Sequence, residues 1–125
     1  MLVIVAAAVV VWLGIWLHQT HALNHAHSEA FAPGATKDPA RARHVASLFE
    51  DARAHTPDTL PMMYEALFVF EAGDRRRAAK LAAQVVRREP RNVSAWSLLG
   101  QADPARAPQA RERIAKLNPL ALSGR

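Results

Sequence analysis

Residues Leu2 to Leu17 read LVIVAAAVVVWLGIWL, an unbroken run with no charged or strongly polar side chain. As a helix the run covers about 24 Å, against a hydrocarbon core of about 30 Å. It is apolar on every side, so a small domain could not wrap it. Met1 and the stretch His18 to Leu23 can extend its reach. Trp12 and Trp16 are four apart and share one face near the C-terminal end of the run, where an amphipathic ring prefers the headgroup layer. The reading is a transmembrane anchor over residues 1–18. A cleaved signal peptide competes, with Thr20-His21-Ala22 as a small-x-small site. Against it, no Lys or Arg precedes the run, and the run is long for an h-region.

The next cation after the run is Lys37. Flanks this poor in Lys and Arg favour an exported C-terminal part over a cytoplasmic one, and hence a single-pass protein of the cell membrane with its domain outside the cytoplasm. Residues 19–38 are expected to form a His-rich juxtamembrane linker. His18, His21 and His25 would share a face of a continued helix, with His27 and Glu29 close by. Imidazoles at that spacing suit Zn²⁺, Ni²⁺ or Cu²⁺. They equally suit a polar tether, neutral at pH 7 and partly protonated below about pH 6.5. Pro33-Gly34 is expected to break the helix, with a loop to Asp38.

Beyond residue 38 charges are frequent. Alanine supplies 26 of the 125 residues, and arginine outnumbers lysine 13 to 3, a bias that favours helix. The formal net charge of +5 permits an acidic partner or a phospholipid surface. There is no cysteine, which excludes a disulfide scaffold, a Cys-ligated metal and a Cys nucleophile. No phosphate loop, nucleophile elbow, zincin helix or dinucleotide fingerprint occurs, so neither an enzyme nor a cofactor is expected.

Three prolines end helical stretches: Pro57, Pro90 and Pro119, at separations of 33 and 29 residues. Such near-constant spacing implies stacked helical units. A first helix is predicted over residues 39–55. Leu60 to Ala72 forms the next, with Pro61 in its first turn, where the missing N–H does no harm. Gly73-Asp74 turns the chain. Arg75 to Glu89 then carries an apolar stripe through Ala78, Leu81, Ala82 and Val85 and stops at Pro90.

The string Pro90-x5-Trp96-x2-Leu99-Gly100 resembles the signature of a tetratricopeptide repeat. Gly73, Ala78 and Pro90 match the turn glycine, second-helix alanine and closing proline of the preceding unit, although Met62 and Ala66 replace its Trp and Gly. Phe49, Ala52 and Pro57 look like the tail of an earlier unit. That unit lacks a recognisable first helix, and Asp103-Pro104 and Pro108 interrupt the last one. The resemblance implies an all-α protein with a short array of about five helices over residues 39–119, then a tail, 120–125. The competing fold is an unrelated small helical bundle.

The resemblance also implies a groove lined by the first helix of each pair. By position it takes Leu60, Met63, Leu67 and Phe70, then Ser94, Ser97 and Gln101, as contacts for a partner protein. Alternatively the apolar members pack on helix 39–55 of the same chain. Arg76, Lys80, Arg87 and Arg91 form a basic stripe on the opposite, convex side, suited to a solvated face, anionic headgroups or an acidic partner. No aromatics interleave with it, so nucleic acid is not expected. Trp96 is expected to be buried between the last two units, near Val85 or Val86. The function expected is a membrane-anchored interaction module or scaffold of a bacterial envelope. The alternatives are a metal-binding or pH-responsive tether, or a basic clamp on the lipid surface.

Overall fold

The structure, a computed structural model, describes residues 2–54 and 56–119; the side chains of residues 2–10, 15, 16, 18 and 19 lie outside the description. The tail 120–125 and the ligand atoms of His18 therefore lie outside the described residues, as do most side chains of the expected anchor. What is described is all-helical: α1 (Leu2–Ala30), α2 (Pro39–Ala54), α3 (Leu60–Glu71), α4 (Arg75–Arg88), α5 (Val93–Ala102), a 3-10 turn (Pro104–Arg106) and α6 (Ala107–Leu117).

The helix boundaries follow local chemistry. Asp74 caps α4 by accepting from the Arg77 N–H at 3.0 Å, and Asn92 caps α5 by accepting from the Ala95 N–H at 3.0 Å. The Asp103 carboxylate accepts from the Ala105 N–H at 3.1 Å and starts the 3-10 turn. Gly73, at φ 90°, makes the tight reversal between α3 and α4 that a side chain would strain. Pro61 sits at the start of α3 and Pro108 at the start of α6, where neither interrupts an internal hydrogen bond.

Each helix packs on the next. In addition α1 touches α3 and α3 touches α5, whereas the backbones of α2 and α4 stay apart, as do those of α4 and α6. The array therefore has two layers, one of α1, α3 and α5 and one of α2, α4 and α6. Three helical hairpins result, each closing on the next. Phe49 of α2, Met62 and Ala66 of α3, Val85 of α4 and Leu99 of α5 lie in one continuous core. Burying each large side chain of that set contributes roughly 1.5–3 kcal/mol.

The segment expected to be a tether is instead the second half of α1. Leu23, Ala26 and Ala30 recur at helical spacing and pack into the core, with Ala26 fully buried. This is the first helix of the first hairpin. Thr20, Leu23 and Asn24 line the same small cleft as Pro61, and the His27 ring meets the Tyr64 ring edge-on at 5.1 Å. So α1 and α3 run in the same direction. The start of α3 lies beside Thr20, and the Gly73 turn lies at the far end.

Among the described residues no helix is long and apolar enough to cross a membrane. The described apolar side chains in the first half of α1 are all uncovered: Val11 is 61 % exposed, Trp12 63 %, Leu13 47 % and Leu17 53 %.

Candidate functional site

Trp96 organises the junction of the last two hairpins. Its ring is buried, its indole N–H donates to the Pro90 carbonyl at 2.9 Å, and the Arg113 guanidinium lies over it, 5.9 Å from the ring centre. Val85 and Val86 belong to the same buried cluster. A Cβ on Gly100 would come within 2.9 Å of the Ala110 Cβ, so the backbone that approaches Gly100 is that of α6. The residues of the repeat-like string thus have mechanical roles: Pro90 ends α4 and receives the indole, and Gly100 admits α6.

On the α1/α3/α5 layer the outward stripe of α3 runs through Leu60, Tyr64, Leu67 and Glu71, at steps of four, three and four. Leu60 and Leu67 are 42 % and 41 % exposed, and Tyr64 is half-buried. Met63 and Phe70, read from the sequence as groove residues, lie one step round the helix from this stripe. Met63 is buried in the core, and Phe70 is half-buried with the Arg75 guanidinium 5.6 Å from its ring centre. Ser94 and Gln101 are exposed and Ser97 half-buried. The Gln101 amide donates to Ser97 Oγ at 3.1 Å, so α5 presents a polar strip. Phe31, at the end of α1, is the most exposed large apolar side chain described, at 72 %. This layer offers an apolar half built by Phe31, Leu60 and Leu67 and a polar half built by α5.

On the other layer the helix backbones stand apart, and two of the clefts between them gather charged side chains. The first lies between α2 and α4, about 550 Å³ in volume, with Glu65 of α3 on its floor. Glu65 is the most deeply buried charge among the described residues, its side chain 1 % exposed. Arg77 donates to Glu65 Oε1 at 2.8 Å and to Glu50 at 2.7 Å, while Arg53 lies 3.3 Å from Glu65 Oε2. Glu65 Oε2 accepts no hydrogen bond. Burial pushes the Glu65 pKa above the usual carboxylate range, against the opposing pull of Arg77 and Arg53. The signal was legible: residues three and four away on either side, Pro61, Met62, Phe68 and Val69, are all buried.

The second cleft, about 640 Å³, lies between α4 and the 3-10 turn. Arg76, Lys80 and Arg87 of the expected basic stripe line it, and Arg75 and Arg106 join them; Arg91 lies beyond the end of α4 and does not. Here the charges are not balanced. Among the described residues Arg75, Arg76, Lys80 and Arg87 make no ion pair, and the sole carboxylate of the lining, Asp103, sits 3.7 Å from Arg106.

His21 and His25 are exposed on α1, and among the described residues no three His, Asp or Glu side chains form a group able to hold a metal ion. Compared with protein families, with curated proteins and with solved structures, the chain matches none.

Proposed function

We propose that this chain is a membrane-anchored helical-hairpin array of the tetratricopeptide type, which holds a partner protein beside the membrane of a bacterial envelope. The observation that carries this reading is the continuity of α1. One helix begins in the uncharged run Leu2 to Leu17 and ends as the first helix of the first hairpin. Val11, Trp12, Leu13 and Leu17 point to different sides of that helix, and all are uncovered. Apolar surface on every side of a helix wants hydrocarbon around it, and the Lys/Arg-poor flank favours an array outside the cytoplasm. Because no loop separates anchor from array, the array is held at a fixed height and angle. The two-layer packing and the Pro90–Trp96 and Gly100–Ala110 contacts support the repeat-like reading. Phe31, Leu60 and Leu67 then form the apolar part of the docking face, with flanking polar groups on α5.

Alkaline extraction of membranes from cells making the full chain tests the anchor. The parent is expected in the pellet, and a Val5→Arg/Val9→Arg variant in the supernatant; a parent that washes off refutes the anchor. Protease added to intact spheroplasts should cut the array, and an uncut array reverses the assigned side. For the docking face, a photo-crosslinking side chain at Leu60 or Leu67 should give one discrete adduct, and none at Ser47 on α2. No adduct at either leucine refutes the partner face.

A further inference from the structure

The basic cleft between α4 and the 3-10 turn is a second surface, and its chemistry is more specific than that of the α3 face. Arg75, Arg76, Lys80 and Arg87 line its α4 wall and Arg106 stands across it. Like charges gathered around a concave surface raise its potential, and the surrounding protein focuses the field into it. The contrast with the neighbouring cleft is direct. There Glu50 and Glu65 pair with Arg53 and Arg77, and Asp74 adds a third carboxylate; Arg76 and Lys80 lie on the ridge between the two clefts and line both. Here Asp103 alone opposes five cations, and its Oδ1 is already engaged by the Ala105 N–H. Between the cationic walls the cleft is lined by Ala79, Ala83 and Ala102. Small side chains there let another backbone come close and bury apolar groups against them.

We propose that this cleft docks an acidic amphipathic helix of a partner protein, its carboxylates between Arg76, Lys80 and Arg106 and its apolar edge on Ala79, Ala83 and Ala102. The proposal rests on reading the array as an interaction module and names the chemistry of its partner. Charge complementarity selects the occupant. An anionic headgroup of the chain's own membrane is disfavoured by position. Since α1 and α3 run in the same direction, the Gly73 turn lies far from the apolar run, and Arg76 follows that turn closely. Asp103 and Arg106 close α5 at the same end. Arg87, the lining cation nearest the apolar run, lies about 16 Å along α4 from Arg76, about two Debye lengths at physiological salt, so Arg75, Arg76 and Arg106 are the cations beyond the membrane's reach.

The test uses the full chain in zwitterionic detergent micelles and fluorescein-labelled synthetic peptides. One peptide carries glutamates on one face and leucine and alanine on the other. A second has the same composition with the faces scrambled, and a third has lysine for glutamate. The amphipathic acidic peptide is expected to bind with Kd below about 100 µM, and the others at least tenfold more weakly. Binding should weaken steeply as salt rises from about 0.05 to about 0.3 M. Lys80→Glu and Arg106→Glu, both at exposed positions, should each lower affinity about tenfold, while Arg43→Glu on α2 should leave it unchanged. Equal weakening by Arg43→Glu, or equal binding of the scrambled peptide, would mean diffuse charge attraction and overturn the proposal. So would vesicles containing phosphatidylglycerol that bind the chain through Lys80 and Arg106 while the peptide does not. Crosslinks at Leu60 or Leu67 with no peptide binding would remove the cleft and leave the interaction module standing.

Discussion

The indole N–H of Trp96 donates to the carbonyl of Pro90, six residues before it, across 2.9 Å. Pro90 lacks an N–H and stops α4, and its own carbonyl would be left facing the indole without this bond. The ring also fills the seam between α4 and α5. Two substitutions separate the two contributions. Trp96→Phe keeps most of the packing and should cost about 1–2 kcal/mol, the bond plus a small void. Trp96→Ala should cost about 3–5 kcal/mol, enough to unfold a marginal domain. Denaturant titration of the full chain in micelles, followed by far-UV circular dichroism, gives both. An alanine variant as stable as the parent would remove the ring from the core.

Gly100 and Ala110 set the distance between α5 and α6. The Cβ of an alanine at position 100 would lie 2.9 Å from the Ala110 Cβ, and the Ala107 Cα is 3.5 Å away. Neither neighbour is the flexible end of a long side chain, so the two helices must move apart. Gly100→Ala should therefore destabilise by about 1–3 kcal/mol despite the better helix propensity of alanine. Adding Ala110→Gly should recover part of the loss. A double-mutant cycle on thermal melts measures that coupling, and additive effects would contradict the contact.

Two buried or half-buried carboxylates respond to pH in opposite senses. Glu89 accepts from Thr59 and, at 2.8 Å, from Asn92, tying the start of α3 to the end of α4 and the cap of α5. These bonds, Thr59 first, hold its pKa below the ordinary value. The unfolded chain then binds more protons, so the contribution is present above about pH 4.3 and is lost as pH falls through the lower native value. Glu89→Gln should cost roughly 1–2 kcal/mol at pH 7, and the gap to the parent should close at low pH.

For Glu65 the native pKa is raised, with burial the leading cause. The native state then holds the proton more tightly than the unfolded chain. Stability falls as pH rises from about 4.3 through the raised native value. Glu65→Gln removes that titration. The stability of the parent relative to Glu65→Gln should therefore decline as pH rises through this window. Melting temperatures measured at intervals from pH 4 to pH 8 check the sign, and a relative gain with pH would mean that Arg53 and Arg77 outweigh burial.

Much of the array was legible because Pro and Gly punctuate it. Leu60 and Arg75 begin helices as the sequence implies, and Pro90 and Gly73 end them. The missing first helix of the first hairpin was not read, because four histidines made residues 18–27 look like a tether; Leu23, Ala26 and Ala30 carried the signal. Of the apolar residues expected in the groove, Leu60 and Leu67 are exposed, Met63 is buried and Phe70 is half-buried. On a narrow exposed stripe a single step of about 100° decides burial, and only the position of α1 and α5 fixes which stripe stays out. Arg106 could not be joined to the basic stripe from sequence, since its partners lie about twenty to thirty residues away on another helix.

Leu60 and Leu67 lie seven residues apart on α3, outside the core, with Tyr64 half-buried between them. Their exposure separates stability from docking. Each leucine is a little more than half covered, so Leu60→Ser/Leu67→Ser should lower the stability of the free chain by about 1 kcal/mol per site. Met63→Ser, one step round the same helix, should cost at least about 2 kcal/mol, because it opens a cavity in the core. The same double serine variant should lose the adduct formed from a photo-crosslinking side chain placed at Phe31, whose 72 % exposure keeps it outside the fold. Full-chain melts and crosslinking in membranes, run on the same variants, read both properties. If the double serine variant loses far more stability than expected, the stripe belongs to the core. If it melts as expected and still crosslinks from position 31 with undiminished yield, the leucines contribute nothing to the partner's hold, and docking falls to Phe31 and the polar strip of α5.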